Sequence, residues 1–364
     1  MDMDKMKMDR RNVIKTLGMG AVALSIPGYS VASTKKTTER SFTGHGKRAT
    51  WEKVTTTSKV SLVKGNDCRD NTFKSLMNIE DEIMASLEGK KRILIKPNFV
   101  NTNIPLCATR VDAVKAILDF LKPRWKGPIE IGESPATTTS GTFEGYKNYG
   151  YLPLEKEYGV TLSDLNDQTY QNLYIFGQGN IPTRVRMLST FLDKDQYIIS
   201  AAKLKTHNSV LVTASLKNIL MGSLLNEYKG INDKRFMHTR NENSATVRTK
   251  DDLLHFNMFH LAQQTFPDLG IIDGFEGMEG NGPQNGTPID TRIALASLDP
   301  LALDILATKI MGFNAKEIMY LNSMYEAGMG QGDLDKIQVI GTDLSQCLYK
   351  FKPNDLMKVP YGLG

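Results

Sequence analysis

The chain has 364 residues, 40 % of them hydrophobic and 23 % charged, which is ordinary globular composition, and a net charge of +5. Residues 1–32 hold five Lys/Arg and three Asp, so the remainder carries 40 basic against 37 acidic groups. That balance, with no basic run interleaved with aromatics, excludes a dedicated nucleic-acid binder. The length allows one large α/β domain or two lobes.

The first 32 residues carry a recognisable pattern. Arg10-Arg11-Asn12-Val13-Ile14-Lys15 precedes an apolar stretch, Thr16 to Ile26, too short to span a bilayer, and Ser30-Val31-Ala32 offers small residues for cleavage. Together they read as a twin-arginine export signal, with Asp9 and Val13 as departures from the usual pattern. The expectations are passage through the twin-arginine translocase, a periplasmic or otherwise exported location, and no stable membrane span after cleavage. Proteins taking that route travel folded, often around a cofactor, so a bound metal or prosthetic group enters as a candidate. Residues 33–58, rich in Thr, Lys and Ser, read as a flexible linker, with His45 as a solvated loop residue. Cys68, Cys107 and Cys347 are far apart with no C-x-x-C, so an iron–sulfur cluster held by four cysteines of one chain is not expected.

From residue 59 the pattern alternates between strand and helix. Lys59–Val63 reads as a strand, Thr72–Leu87 as a helix with apolar residues at Phe73, Leu76, Ile79, Ile83 and Leu87, and Arg92–Asn98 as a buried strand stopped by Pro97. A helix over Arg110–Leu121, capped by Thr109, leads to a strand at Ile129–Ser134 and another at Val160–Leu165. Two shorter strand-like runs follow at Leu173–Phe176 and Pro182–Met187. Residues 223–248 are polar and irregular, the mark of a functional or disordered loop, and place His238 either over a site or in solvent. A helix over Asp251–Phe266 carries His255 and His260 at a spacing unsuited to shared chelation. Strands at Leu269–Asp273, Arg292–Ser297 and Ile337–Gly341 and helices over Pro300–Ile310 and Ala315–Ala327 complete the series. Asp299 is placed to cap the Pro300 helix, and Asp304 sits in its second turn among apolar residues. The expected fold is α/β, a mainly parallel, doubly wound sheet over residues 59–341, with 342–364 as a surface tail.

The polar chemistry concentrates at strand ends. Lys96 and Asn98 follow the second strand, and in open α/β sheets ligands sit beyond the carboxyl ends of strands. Lys203, Lys205 and His207 alternate along one extended run, so they share a face, as a solvated surface or around an anion. Lys217 and Asn218 interrupt the apolar helix Leu216–Gly222, which Gly222 ends. Asp273, Glu276 and Glu279 stand in a glycine-rich loop running to Gly286, and carboxylates are hard-cation ligands by type.

The segments I-L-I-K-P-N-F-V (Ile93 to Val100), K-L-K-T-H (Lys203 to His207), L-K-N-I-L-M-G (Leu216 to Gly222), D-G-F-E-G-M-E-G-N-G-P (Asp273 to Pro283) and L-D-P-L-A-L-D (Leu298 to Asp304) occur in that order. With them the chain resembles the family catalogued as domain of unknown function 362, over roughly Val60 to Gly341. The resemblance implies no reaction. Some members of that family carry ferredoxin-like cysteine segments, which this chain lacks.

The residues themselves support an exported enzyme acting on a small anionic substrate. His207, Lys205 and Lys217 are the candidate catalytic groups; Lys96, Asn98, Lys203 and Asn218 the candidate substrate-binding groups; Asp273 and Glu279 the candidate ligands of a divalent metal. The alternative is a non-catalytic protein that binds an anion or metal in the same pocket.

Overall fold

The structure, a computed structural model, describes residues 45–137, 139–238 and 252–357. The export signal at 1–32, residues 33–44 of the expected linker, residues 239–248 of the polar loop and residues 358–364 of the tail lie outside the described residues.

In chain order the elements are β1 (Ser58–Lys64), α1 (Cys68–Met77), α2 (Glu80–Ser86), β2 (Arg92–Lys96), α3 (Val111–Leu121), β3 (Ile129–Glu133), α4 (Thr142–Asn148), α5 (Leu154–Tyr158), β4 (Thr161–Asp164), β5 (Tyr170–Phe176), β6 (Pro182–Leu188), β7 (Gln196–His207), β8 (Leu211–Thr213), α6 (Ser215–Gly222), α7 (Asp233–Met237), α8 (Asp252–Ala262), β9 (Leu269–Asn281), β10 (Asn285–Ser297), α9 (Pro300–Ile310), α10 (Met319–Glu326) and β11 (Ile337–Gly341). The nine-stranded sheet runs β11-β1-β10-β9-β7-β2-β3-β4, with β8 attached to β7, while β5 and β6 form a separate ribbon. Pairing is parallel from β9 through β7, β2 and β3 to β4, and between β1 and β11. It is antiparallel where β10 joins β1 and β9. One mostly parallel sheet with helices on both sides replaces the two-lobe alternative.

Both faces of the sheet are covered, and the strands show it by alternation. Ile93, Ile95, Ile131, Ile199, Ala201 and Ile271 pack in the core with Leu76, Ile83, Val114 and Ile117 of α1 to α3. Ala202, Leu204, Ile272 and Leu295 face the opposite core, with Leu216 and Leu220 of α6 and Leu303 and Leu306 of α9. Every residue of β7 is buried, so its lysines lie inside the protein and not on a solvated face.

Three local readings change in the structure. The helix expected over Thr72–Leu87 is two helices meeting at Asn78 and Ile79. The glycine-rich stretch after Asp273 is strand, not loop: β9 continues to Asn281 and pairs with β10 as a long hairpin whose tip is residues 282–284. His45 is half-buried and not a solvated loop residue, with its ring nitrogens 3.2 Å from the Asp193 carbonyl and 2.6 Å from Asp268 Oδ2.

The topology fixes where a ligand belongs. From β2 the chain steps through α3 to β3 and on to β4 in one direction; from β7, on the other side of β2, it goes to β9 in the opposite direction. The carboxyl ends of β2 and β7 therefore flank a topological switch point, where the diverging connections leave a crevice.

Candidate functional site

A cavity of about 360 Å³ opens at that switch point. The end of β2 contributes Lys96, Asn98 and Phe99, the end of β3 Glu133 and Ser134, and the end of β7 His207. Thr213, Lys217, Asn218, Met221 and Gly222 come from β8 and α6, and Asn232, Lys234, Arg235 and His238 from α7 and its ends. Pro283 and Gln284, at the β9–β10 hairpin tip, complete the wall, and Gln284 accepts a 3.2 Å hydrogen bond from Asn101.

Lys96 is the best-held cation. Its ammonium pairs with Glu133, donates to the Pro97 carbonyl at 2.8 Å and reaches Asn218 Oδ1 at 3.3 Å. Glu133 also accepts from the backbone amides of Phe99 at 2.6 Å and Ser134 at 2.7 Å, so one buried carboxylate ties the ends of β2 and β3 together. Asn218 fixes the geometry from α6: its amide donates to Lys96 O at 3.0 Å and Ser200 Oγ at 3.2 Å. Gly222 does not act as a left-handed helix cap, because the helix runs through it to a right-handed Ser223. A Cβ at Gly222 would lie 2.1 Å from Lys96 Cε, so the bare Cα makes room for the lysine stem.

The other cations are held by neutral groups. Lys205, fully buried just beneath the lining, donates to Asn98 Oδ1 and to the Cys107 carbonyl. Lys234 donates to Ser134 through both its carbonyl and its hydroxyl, the latter at 2.7 Å. Lys217 is 7 % exposed, borders the cavity, and has no hydrogen-bond acceptor among the described residues. The Thr213 hydroxyl in the same lining is also unpartnered among the described residues. Glu133 is the one carboxylate among the described lining residues.

This imbalance has the expected electrostatic result. Burial, reinforced by neighbouring lysines, lowers Lys205 and Lys234 to about 7, and burial lowers Lys217 to about 8. Lys96 is lowered by burial and partly restored by Glu133. Burial, with Lys217 as the next cause, holds His207 well below the ordinary histidine range, and His238 falls to about 4 for the same reasons. The two imidazoles stack, with ring centres 6.3 Å apart. Ser209 N–H donates to His207 Nδ1 at 3.0 Å, so the neutral ring carries its proton on Nε2.

The residues singled out in the sequence divide into two groups. Lys96, Asn98, His207, Lys217 and Asn218 meet at the cavity, with Lys205 directly behind Asn98. Lys203, Asp273 and Glu279 lie elsewhere. Lys203 pairs with Asp273 at 3.1 Å, both buried, and Asp273 also accepts from Arg110 N at 2.9 Å and Phe275 N at 3.2 Å. That carboxylate, not Thr109, receives the amide at the start of α3, while the Thr109 hydroxyl bonds Ala201 O and Asn98 N. Glu279, six residues further along β9, accepts from Lys352 N at 2.9 Å and lies 3.3 Å from its ammonium. The two acids are not brought together as a ligand pair, because a strand separates residues that a compact loop would have gathered. Among the described residues no group of three or more His, Cys, Asp or Glu converges as a metal site.

Asp304, ambiguous in the sequence, has its partner here. Fully buried, it accepts from Ser215 N at 2.8 Å and Leu216 N at 2.9 Å, and so caps α6, the helix that carries Lys217 and Asn218. Lys234 was missed: nothing in a polar, irregular run distinguishes a cation that folds inward from one that stays in water.

Fold and site together define an α/β protein with a lysine-rich, largely buried cavity at the switch point of its sheet. The chain belongs to the family described as Domain of unknown function (DUF362), whose profile matches residues 93–309. A thylakoid-associated protein of Synechocystis is 27 % identical over 278 residues, covering 75 % of this chain and 79 % of that one. Among solved structures, the lactate racemase apoprotein of Thermoanaerobacterium thermosaccharolyticum aligns with a TM-score of 0.42 at 14 % identity, over 69 % of this chain and 56 % of that one. A protein from Thermotoga maritima aligns with a TM-score of 0.37 at 14 % identity, over 62 % of this chain and 55 % of that one. The alignment thus covers little more than half of each of those two solved chains.

Proposed function

We propose that this protein is an exported enzyme that takes a small anionic substrate into the switch-point cavity. One observation carries the reading: four buried lysines, Lys96, Lys205, Lys217 and Lys234, gather at a cavity whose described lining holds a single carboxylate, Glu133. Buried charges of one sign are costly unless something of opposite sign joins them. A bound carboxylate or phosphate would supply that charge and return the lysines toward their ordinary protonation.

In this reading Lys96 and Lys234, held by backbone carbonyls, grip the anion as point charges, and Asn98 and Asn218 keep the cations in place. His207 offers its Nε2 proton, as a neutral imidazole does when it polarises an oxygen. Asp273 and Glu279 belong to the frame and not to a metal site. Export rests on the twin-arginine pattern at Arg10-Arg11, and no helix among the described residues is long and apolar enough to cross a membrane.

The test is a thermal-shift series on the mature chain with oxalate, inorganic phosphate and sulfate. Millimolar oxalate or phosphate is expected to raise Tm by several degrees, by mass action on the folded state. Lys234→Met is expected to abolish the shift while remaining folded. No shift with any anion would remove the reading.

A further inference from the structure

We infer that Lys217 is an imine-forming amine, and that the substrate is a small carbonyl compound that also carries an anionic group; this rests on the anionic-substrate reading above. Five lysines lie buried around β7, and four of them are engaged. Lys96 pairs with Glu133, Lys203 with Asp273, Lys205 donates to Asn98 and Cys107, and Lys234 donates to Ser134. Lys217 alone of the five has neither a carboxylate nor a hydrogen-bond acceptor among the described residues, yet its side chain borders the cavity.

A lysine kept only as an anion clamp needs no such isolation. A nucleophilic amine does need it, because attack on a carbonyl carbon uses the lone pair that protonation occupies. Its position in the first turn of α6 adds to this, since the positive end of a helix disfavours an ammonium. Burial acts in the same direction, and an amine at about 8 is neutral about a hundredfold more often at pH 8 than a surface lysine of ordinary pKa.

The chemistry balances without an added reagent. Lys217 Nζ bonds to the carbonyl carbon, and the carbonyl oxygen becomes the hydroxyl of a carbinolamine. That oxygen then leaves as water, taking both amine protons and leaving a carbon–nitrogen double bond. The His207 Nε2 proton and the ammonium of Lys234 are in the same lining to relay protons to the departing oxygen. A carbonyl beside the anionic group places both functions in one molecule small enough for a cavity of about 360 Å³.

Glyoxylate with a mild hydride reductant is the probe. The mature chain is treated at pH 8 with limiting glyoxylate, with and without oxalate, and the carboxymethylated residues are mapped by peptide mass spectrometry. The expected result is labelling of Lys217 at least about tenfold above every other lysine, because surface lysines are almost fully protonated at pH 8 while Lys205 and Lys234 are tied to protein oxygens, and suppressed by oxalate. The α-amino group, which titrates in the same range, is expected to label regardless of oxalate and serves as the internal reference. Lys217→Arg, with Lys217→Met as a second variant should the first fold poorly, is expected to lose the selective label. Oxalate stabilisation without selective labelling of Lys217 would overturn the imine and leave the anion cavity standing. Absence of stabilisation by oxalate, phosphate and sulfate alike in the unmodified protein would overturn both.

Discussion

Lys203 and Lys205 are two residues apart on one fully buried strand, and they have opposite surroundings. Lys203 meets Asp273, whose other oxygen contacts and amide donors lock β7, β9 and the start of α3 into one unit. Lys205 meets only the neutral oxygens of Asn98 and Cys107, in a group of lysines with one carboxylate between them. Lys203, neutralised by its own carboxylate, belongs to the frame; Lys205 belongs to a cluster whose positive groups outnumber its one carboxylate. The difference separates what holds this protein together from what it holds.

The contrast is broken most severely from the frame side. Asp273→Ala leaves Lys203 buried without its counterion and the Arg110 amide without its acceptor, and is expected to cost about 3–5 kcal/mol in urea denaturation. Replacing both partners, Lys203→Met with Asp273→Leu, is expected to cost much less, since no orphaned charge remains. A single Asp273 variant with unchanged stability would show that the pair is not the strut described here.

On the cavity side, Gly222→Ala sets a methyl group against the Lys96 stem and is expected to cost about 1–3 kcal/mol of overpacking. It should also weaken oxalate binding, because the lysine must move to relieve the contact. An alanine that leaves both stability and binding intact would contradict the placement of Lys96.

A smaller effect is expected at Asp304. Its carboxylate caps α6 from a different helix, so Asp304→Ala is expected to cost about 1–2 kcal/mol, as lost caps do. Because α6 carries Lys217 and Asn218, the variant should also lose part of its anion affinity. Asp304→Asn, which retains one acceptor oxygen, should recover some of both.

The pH dependence of stability tests the same contrast without a substitution. Lys205, Lys217 and Lys234 have folded-state values of about 7, 8 and 7, below the ordinary lysine value near 10.4. Between roughly pH 7 and 10 the unfolded chain therefore binds more protons than the folded one, so stability rises with pH. Asp304, raised to about 7 by burial, titrates mainly below that window. Urea midpoints across the range should climb, and saturating oxalate should flatten the climb. A fall in stability over the window would contradict the buried-cation account.

Much of this arrangement was legible in the sequence. Lys96, Asn98 and His207 stand at strand ends, where a doubly wound sheet places its ligands, and Lys217 with Asn218 interrupts an otherwise apolar helix. The rest depended on distant partners. The partner of Lys203 is 70 residues away, so the strand alone does not reveal which of its lysines is neutralised. Asp273 and Glu279 looked like neighbours because glycines between them suggested a loop, yet those glycines lie within a long strand pair that keeps the acids apart. Lys234 enters from a short helix in a polar run where the adjacent Arg235 remains exposed.

The central claim, that these lysines await an anion, is tested most directly by calorimetric titration of oxalate at pH 8 in two buffers of different ionisation enthalpy. Binding should take up protons, because the incoming charge raises the lowered lysines, and the uptake should fall away at pH 6, where they are already protonated, and shrink in Lys217→Met. Binding that leaves the proton count unchanged at pH 8, or that persists in Lys217→Met and Lys234→Met alike, would contradict it.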